Sequence, residues 1–283
     1  MRDLALQVLV VAMMLAVGLD LSLEEARAGL AKRWLLALGL LINVVVMPAM
    51  VVGMSWALAL PSGLATGMLV CAVAPGGPTG PLFARIARAD LGFATALQVL
   101  LSAIVLVSAP LSLELLGGEG ERSLIWPMAR ILALFQLLPL AIGVTTRWRW
   151  PQLAERLAKP IGMFANALLL AVVLGMLITR GELLLTQGLA VHLGLIALVL
   201  LPLGLAQIWP ASAAMRATLV STGLVSTVRN LTVALLLSTS FYANDPSVDT
   251  AILVWAFYML ALPGLLSWRL GRAKLRAAES ALG

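Results

Sequence analysis

Acidic side chains are scarce in this sequence. Thirteen Asp and Glu stand against 19 Lys and Arg, and the four types make up only 11% of 283 residues. Soluble domains carry about 25% charged residues, so an ordinary water-facing fold is excluded. Asp3, Asp20, Glu24, Glu25, Asp90, Glu114, Glu119, Glu121, Glu155, Glu182, Asp245, Asp249 and Glu279 all fall in loops, tails or the ends of apolar runs. That placement removes the carboxylate relay by which many membrane pumps pass protons. There is one histidine, His192, and one cysteine, Cys71. The chain therefore lacks the parts for an internal disulfide, a cysteine–histidine metal cluster or a nucleophile–base pair. No enzyme is expected and no cofactor, and Cys71 reads as a small apolar filler. The net charge of +6 is spread over short loops and forms no groove-like patch, so nucleic acid is not an expected partner.

What is abundant is apolar sequence, at 61% of the residues, with a mean hydropathy of +1.03. Runs long enough to cross about 30 Å of hydrocarbon as helices follow one another almost without pause. The expected fold is an all-α polytopic membrane protein in one domain. Its nine spans lie near 4–20, 34–59, 63–86, 91–116, 124–146, 160–179, 184–208, 215–242 and 250–268, followed by a tail at 271–283. Trp126, Trp148, Trp150, Trp209, Trp255 and Trp268 lie mostly near these ends, as an interfacial belt would.

Alternate loops carry the basic residues. Arg27, Lys32, Arg33, Arg85, Arg88, Arg147, Arg149, Arg156, Lys159, Arg216, Arg269, Arg272, Lys274 and Arg276 fall on one side, against Arg2, Arg122 and Arg180 on the other. Positive charge is retained in the cytoplasm, so the N-terminus is expected outside and the C-terminus inside, in a bacterial plasma membrane. A cleaved signal peptide at residues 1–20 would put Arg27, Lys32 and Arg33 outside, so an uncleaved first span is expected.

Two spans are interrupted. Pro75-Gly76-Gly77-Pro78-Thr79-Gly80-Pro81 must break the helical hydrogen-bond ladder of 63–86. Ser226-Thr227-Val228-Arg229-Asn230 places polar residues inside 215–242. Backbone freed at that depth must be buried in protein or line a wet cavity, and paired interruptions point to a carrier's binding site. Two kinked structural helices are the alternative.

At these breaks the sequence resembles the bile acid:sodium symporter family, and the likeness runs over nearly the whole chain. It is carried by Val17-Gly18-Leu19-Asp20-Leu21, Asn43 with Pro48, Leu60-Pro61, Ala74-Pro75-Gly76-Gly77, Leu138-Pro139 with Gly143, and Val228-Arg229-Asn230. The resemblance implies two inverted repeats, about 1–116 lacking its first helix and about 124–270. It also implies broken helices that cross at the substrate site, with a panel domain rocking against a core. The implied function is secondary transport of an organic anion, either bile-acid-like or a small carboxylate or sulfonate. Sodium-free facilitation, proton-linked exchange or export, and a receptor or scaffold that binds without flux are the alternatives.

The departures are specific. Where the family implies side chains that bind sodium, this chain has Gly80, Pro81, Ile104, Val105, Val225 and Arg229; Asn43 alone keeps a comparable polar group. Apolar side chains cannot supply the oxygen donors of a hard cation, leaving only backbone carbonyls at the break. The candidate substrate-binding residues are Arg229, Asn230, Pro75, Gly76, Gly77, Thr79, Asn43 and His192. Arg229 is the one ionisable residue in the centre of an interrupted span. It must meet water, an anionic substrate or carbonyls freed by the opposite break. His192 is either a proton carrier or a neutral histidine bonded to a neighbouring helix. Arg130 is expected to snorkel, and Asn166, Gln136 and Gln187 to join helices. The expected partners are the lipid bilayer and a small organic anion.

Overall fold

The computed structural model describes residues 2–21, 23–117, 124–208, 211–243 and 245–280. Glu119, Glu121, Arg122 and Trp209, named above, lie outside these. Every regular element among the described residues is a helix. In order they are α1 (Arg2–Asp20), α2 (Leu23–Leu30), α3 (Arg33–Ala57), α4 (Ser62–Ala72), α5 (Thr79–Ile86), α6 (Leu91–Leu116) and α7 (Ile125–Arg149). There follow α8 (Pro151–Thr186), α9 (Leu189–Gln207), α10 (Ala213–Thr227), α11 (Leu231–Phe241) and α12 (Pro246–Ser280).

Six described helices are long and apolar enough to cross a membrane: α3, α6, α7, α9, residues 151–175 of α8 and residues 246–277 of α12. Leu4–Asp20 of α1 is a shorter apolar helix, as are the half-helices α4 and α11. The expected spans at 63–86 and 215–242 are each two helices meeting at a break. Large apolar side chains such as Trp56, Val107, Ile178, Leu189 and Phe257 face outward, as lipid requires. Of residues 151–175 only Ala154 and Ala165 are buried, which makes this stretch of α8 peripheral. Trp255 is the exception to the expected belt: it is fully buried in the core.

Helix starts follow local chemistry. The Asp90 carboxylate accepts from the Phe93 amide at 3.0 Å and the Ser212 hydroxyl from the Met215 amide at 3.4 Å, each opening a helix. In α3 and α7 the ladder widens to one π turn, at Ile42–Val46 and Ala133–Leu137. Each turn stands just ahead of a proline, Pro48 and Pro139, and carries one buried amide side chain, Asn43 or Gln136.

Helices α1, α7 and α8 pack mutually. A Cβ on Gly18 would stand 2.9 Å from the Gly143 Cα, so α1 and α7 meet backbone to backbone. The other helices gather around the two breaks, with α4 against α12, and α10 against α5, α6 and α9. Helix α12 runs on through the expected tail as far as Ser280.

Basic loops converge at one end. The Lys32 ammonium binds the Asp90 carboxylate and the Thr218 hydroxyl, and Thr218 donates to Asp90 at 2.7 Å. The Ser221 hydroxyl donates to the Asp90 carbonyl at 2.8 Å, and the Lys274 ammonium to the Arg88 carbonyl at 2.8 Å. Burial would raise the Asp90 carboxyl, but the Lys32, Thr218 and Phe93 donors outweigh it and hold the group below the ordinary carboxylate value.

Candidate functional site

The two breaks touch through their backbones. Pro75 and Arg229 form an isolated antiparallel bridge, and the Asn230 amide donates to the Ala74 carbonyl at 2.6 Å. Extended backbone can pair in this way only because proline and glycine have removed the helical alternative from residues 75–78. Gly76 has φ +81°, a left-handed conformation that other residues rarely adopt. A Cβ on Gly77 would stand 2.5 Å from the Arg229 carbonyl, so only glycine allows this approach.

Half-helices α4 and α10 end at the crossing; α5 and α11 begin there. Two negative and two positive helix ends therefore converge. Asn230 caps α11, its Oδ1 accepting from the Val233 amide at 3.3 Å and from the Thr232 hydroxyl at 2.7 Å. Arg229 is 1% exposed. Its Nη1 donates to the Ala72 carbonyl at 3.2 Å and its Nη2 to the Ser226 carbonyl, while Nε has no partner. The guanidinium thus bonds carbonyls, one of them from the opposite break. A cation at a helix C-terminus is worth about 0.3–1 kcal/mol, rising to about 2 where buried. Here one guanidinium serves two such ends.

Several of the positions that the resemblance assigns to sodium are in apolar contacts. Gly80 and Val225 face each other, a Cβ on Gly80 standing 3.1 Å from the Val225 Cα. Val105 is buried among apolar neighbours. Asn43 spends its amide on the Gly39 carbonyl at 2.7 Å and the Ser226 hydroxyl at 2.6 Å, leaving Oδ1 unpartnered. A hard cation needs several convergent oxygens, which the Gly80 and Val225 side chains do not supply.

On α6 the polar side chains that reach the break are Gln98 and Ser102, not residues 104 and 105. They donate to the Gly76 carbonyl through long bonds of 3.5 and 3.4 Å. Gln136 on α7 donates to the Ser102 carbonyl at 2.9 Å. The sequence reading passed over the first two, although polar residues four apart on an apolar helix mark one buried face. His192 on α9 shares a hydrogen bond of 3.1 Å with the Tyr258 hydroxyl of α12, so it joins two helices. Arg130 is exposed beside an apolar groove with Trp126 and Pro127.

A cleft of about 550 Å³ lies where α1, α5 and the α7–α8 corner meet. Its walls include Val17, Asp20, Pro78, Thr79, Arg147, Lys159 and Asn166. A smaller cavity of about 190 Å³ shares Val17, Asp20, Pro78 and Leu82 and adds Arg85, Thr95 and Gln98. Thr79 and Pro78, where α5 begins, connect this space to the first break; Arg229, Asn230, Asn43 and His192 do not line it. Arg147 is paired with Glu155 at 3.3 Å. With Asp20 against Arg85 and Lys159, the walls hold one more basic than acidic group. In the sequence Arg85, Arg147 and Lys159 read only as topology signals.

The chain matches the Sodium Bile acid symporter family over residues 7–187, well over half its length. It is similar to a probable sodium/metabolite cotransporter BASS2 of Oryza sativa chloroplasts, 28% identical over 62% of this chain and 42% of that protein. It is also similar to YocS of Bacillus subtilis, an uncharacterised sodium-dependent transporter, 21% identical over 63% of this chain and 56% of that one. The human P3 protein is 27% identical over 54% of this chain and 33% of its own length. The matched stretch is thus about half or less of each relative. The family's members are membrane transporters rather than enzymes, and this chain belongs to the Sodium Bile acid symporter family.

Proposed function

We propose that this protein carries a small organic anion across a plasma membrane by alternating access. On this reading α1, α7 and α8 form a panel that rocks against the rest. There are nine crossings, α1, the six long helices and the two broken pairs, with the basic end in the cytoplasm. The observation that carries it is a cleft and an adjoining cavity, lined together by Arg85, Arg147 and Lys159 against Asp20 and Glu155, that reach the first break. A cleft ending on the start of a half-helix offers an anion the positive end of a dipole. Thr79 and Asn166 add neutral polar contacts, and Lys159 a charge not held in the Arg147–Glu155 pair. The family's transport chemistry and the sodium-linked names of the relatives support a carrier of this kind.

The test is uptake into proteoliposomes of radiolabelled steroid conjugates, small carboxylates and sulfonates. Saturable uptake above protein-free vesicles is expected for at least one of them. Lys159→Ala should raise KM about tenfold while leaving the amount of folded protein unchanged, as loss of a charge-assisted contact of about 1.5 kcal/mol would. An anion bound at the cleft with no flux in intact vesicles would make the protein a receptor instead.

A further inference from the structure

We propose that Arg229 is a tethered cation that does the work of an exchangeable one, so that the crossing is held together, and its substrate bound, without sodium. The inference rests on the transport reading only for its uptake arm; the stability arm stands alone.

Three observations converge. The described partners of the guanidinium are the carbonyls of Ala72 and Ser226, at or next to the ends of α4 and α10. Carbonyl oxygens drawn from two half-helices are what a cation at this crossing would bind. Arg229 is 1% exposed, so this charge does not exchange with solvent. Two of the positions expected to hold sodium side-chain ligands, Gly80 and Val225, meet instead in an apolar contact.

The described hydrogen bonds and ion pairs of the acidic side chains lie away from the two breaks. Asp249, the buried acid among the described residues, accepts from the Ser238 hydroxyl at 2.7 Å. The described ion pairs, Lys32–Asp90 and Arg147–Glu155, belong to the basic end and the cleft. A sodium ion entering the crossing would meet a fixed positive charge in a low-dielectric setting, where repulsion is strong. One built-in charge satisfies the two helix ends and leaves no place for a free one. Arg229 is a positioning residue on this account: it fixes α4 and α10 against each other.

The experiment compares melting temperatures of purified protein in sodium chloride and in choline chloride at equal ionic strength, across a sodium titration. A ligand that binds the folded state raises the melting temperature with its concentration, so the wild type should stay within about 1 °C throughout. Arg229→Gln should melt several degrees lower in choline and recover saturably as sodium is added, because the two carbonyl ends are then open to an ion. Arg229→Lys, which keeps the charge, should remain indifferent to sodium and melt between the other two. A saturable rise in the wild type overturns the proposal. So does a folded Arg229→Gln protein that ignores sodium, since the guanidinium would then be a hydrogen-bonding strap and nothing more. If Arg229→Gln fails to fold in either salt, the lysine variant decides: sodium dependence there refutes the idea, and indifference supports it. Uptake of the anion should be equal in sodium and choline. If no anion is taken up at all, the transport reading fails while the melting series still tests the tethered cation.

Discussion

The two breaks reach the same crossing by opposite means. The first, Pro75 to Pro78, is made by subtraction: proline removes amide donors and glycine removes side chains, leaving carbonyls that cannot be satisfied locally. The second, Val228 to Asn230, is made by addition: its polar groups satisfy their own helix end and then reach across. Ala72 is served by Arg229, Ala74 by the Asn230 amide, and Gly76 by Gln98 and Ser102. One break is an acceptor and the other is its donor. The family match ends at residue 187, so it contains the acceptor and stops short of the donor.

This asymmetry can be broken from either side. The largest effect is expected from Gly77→Ala, because its Cβ would stand 2.5 Å from the Arg229 carbonyl and 2.6 Å from the Val228 Cγ1. Backbone cannot yield as a flexible side chain does, so a loss of about 3 kcal/mol or more is expected, seen as a collapse in the yield of monodisperse protein. A well-behaved Gly77→Ala variant with normal melting would show that the two backbones do not approach this closely.

Asn230→Ala tests the donor side. It removes the cap of α11 and the partner of Thr232, which should cost about 1–2 kcal/mol and lower the melting temperature by a few degrees without abolishing folding. Asn230→Asp keeps the acceptor and should melt closer to wild type than the alanine variant. Equal losses in the two would mean that the unpartnered Nδ2, not the cap, is what matters.

The smallest effect belongs to Asp90, which ties the far end of the first pair to α10 through Thr218. Its folded pKa is lowered, so its contribution is fully present above the ordinary carboxylate value near 4 and fades as pH falls through the folded value. The melting difference between wild type and Asp90→Asn should therefore be constant at neutral pH and shrink on acidification below about pH 4. A difference that grows on acidification would contradict the assigned sign.

Much of this was legible in the sequence because the bilayer writes its constraints locally. Long apolar runs announced the six long helices, and proline and glycine at 75–78 announced a break, since both act on their own backbone. Val228-Arg229-Asn230 was legible as a polar interruption for the same reason. What Arg229 bonds was left open, because its partner Ala72 is 157 positions away. Gln98 and Ser102 escaped for a related reason: each is unremarkable on an apolar helix until the Gly76 carbonyl is placed beside it. The cleft was hidden in a different way. Arg85, Arg147 and Lys159 obey the charge rule for loops, and that rule absorbed them before any binding role was considered.

The Gly18–Gly143 contact has a mechanical consequence. Helices separated by long side chains can slide, because the side chains between them change rotamer like bearings. Where two backbones touch, no such layer exists, and a sliding step would drive one main chain into the other. The α1–α7 pair is therefore a stiff laminate, and any flexure in the molecule has to pass through softer seams, such as those where α1 meets α11 and α8 meets α12.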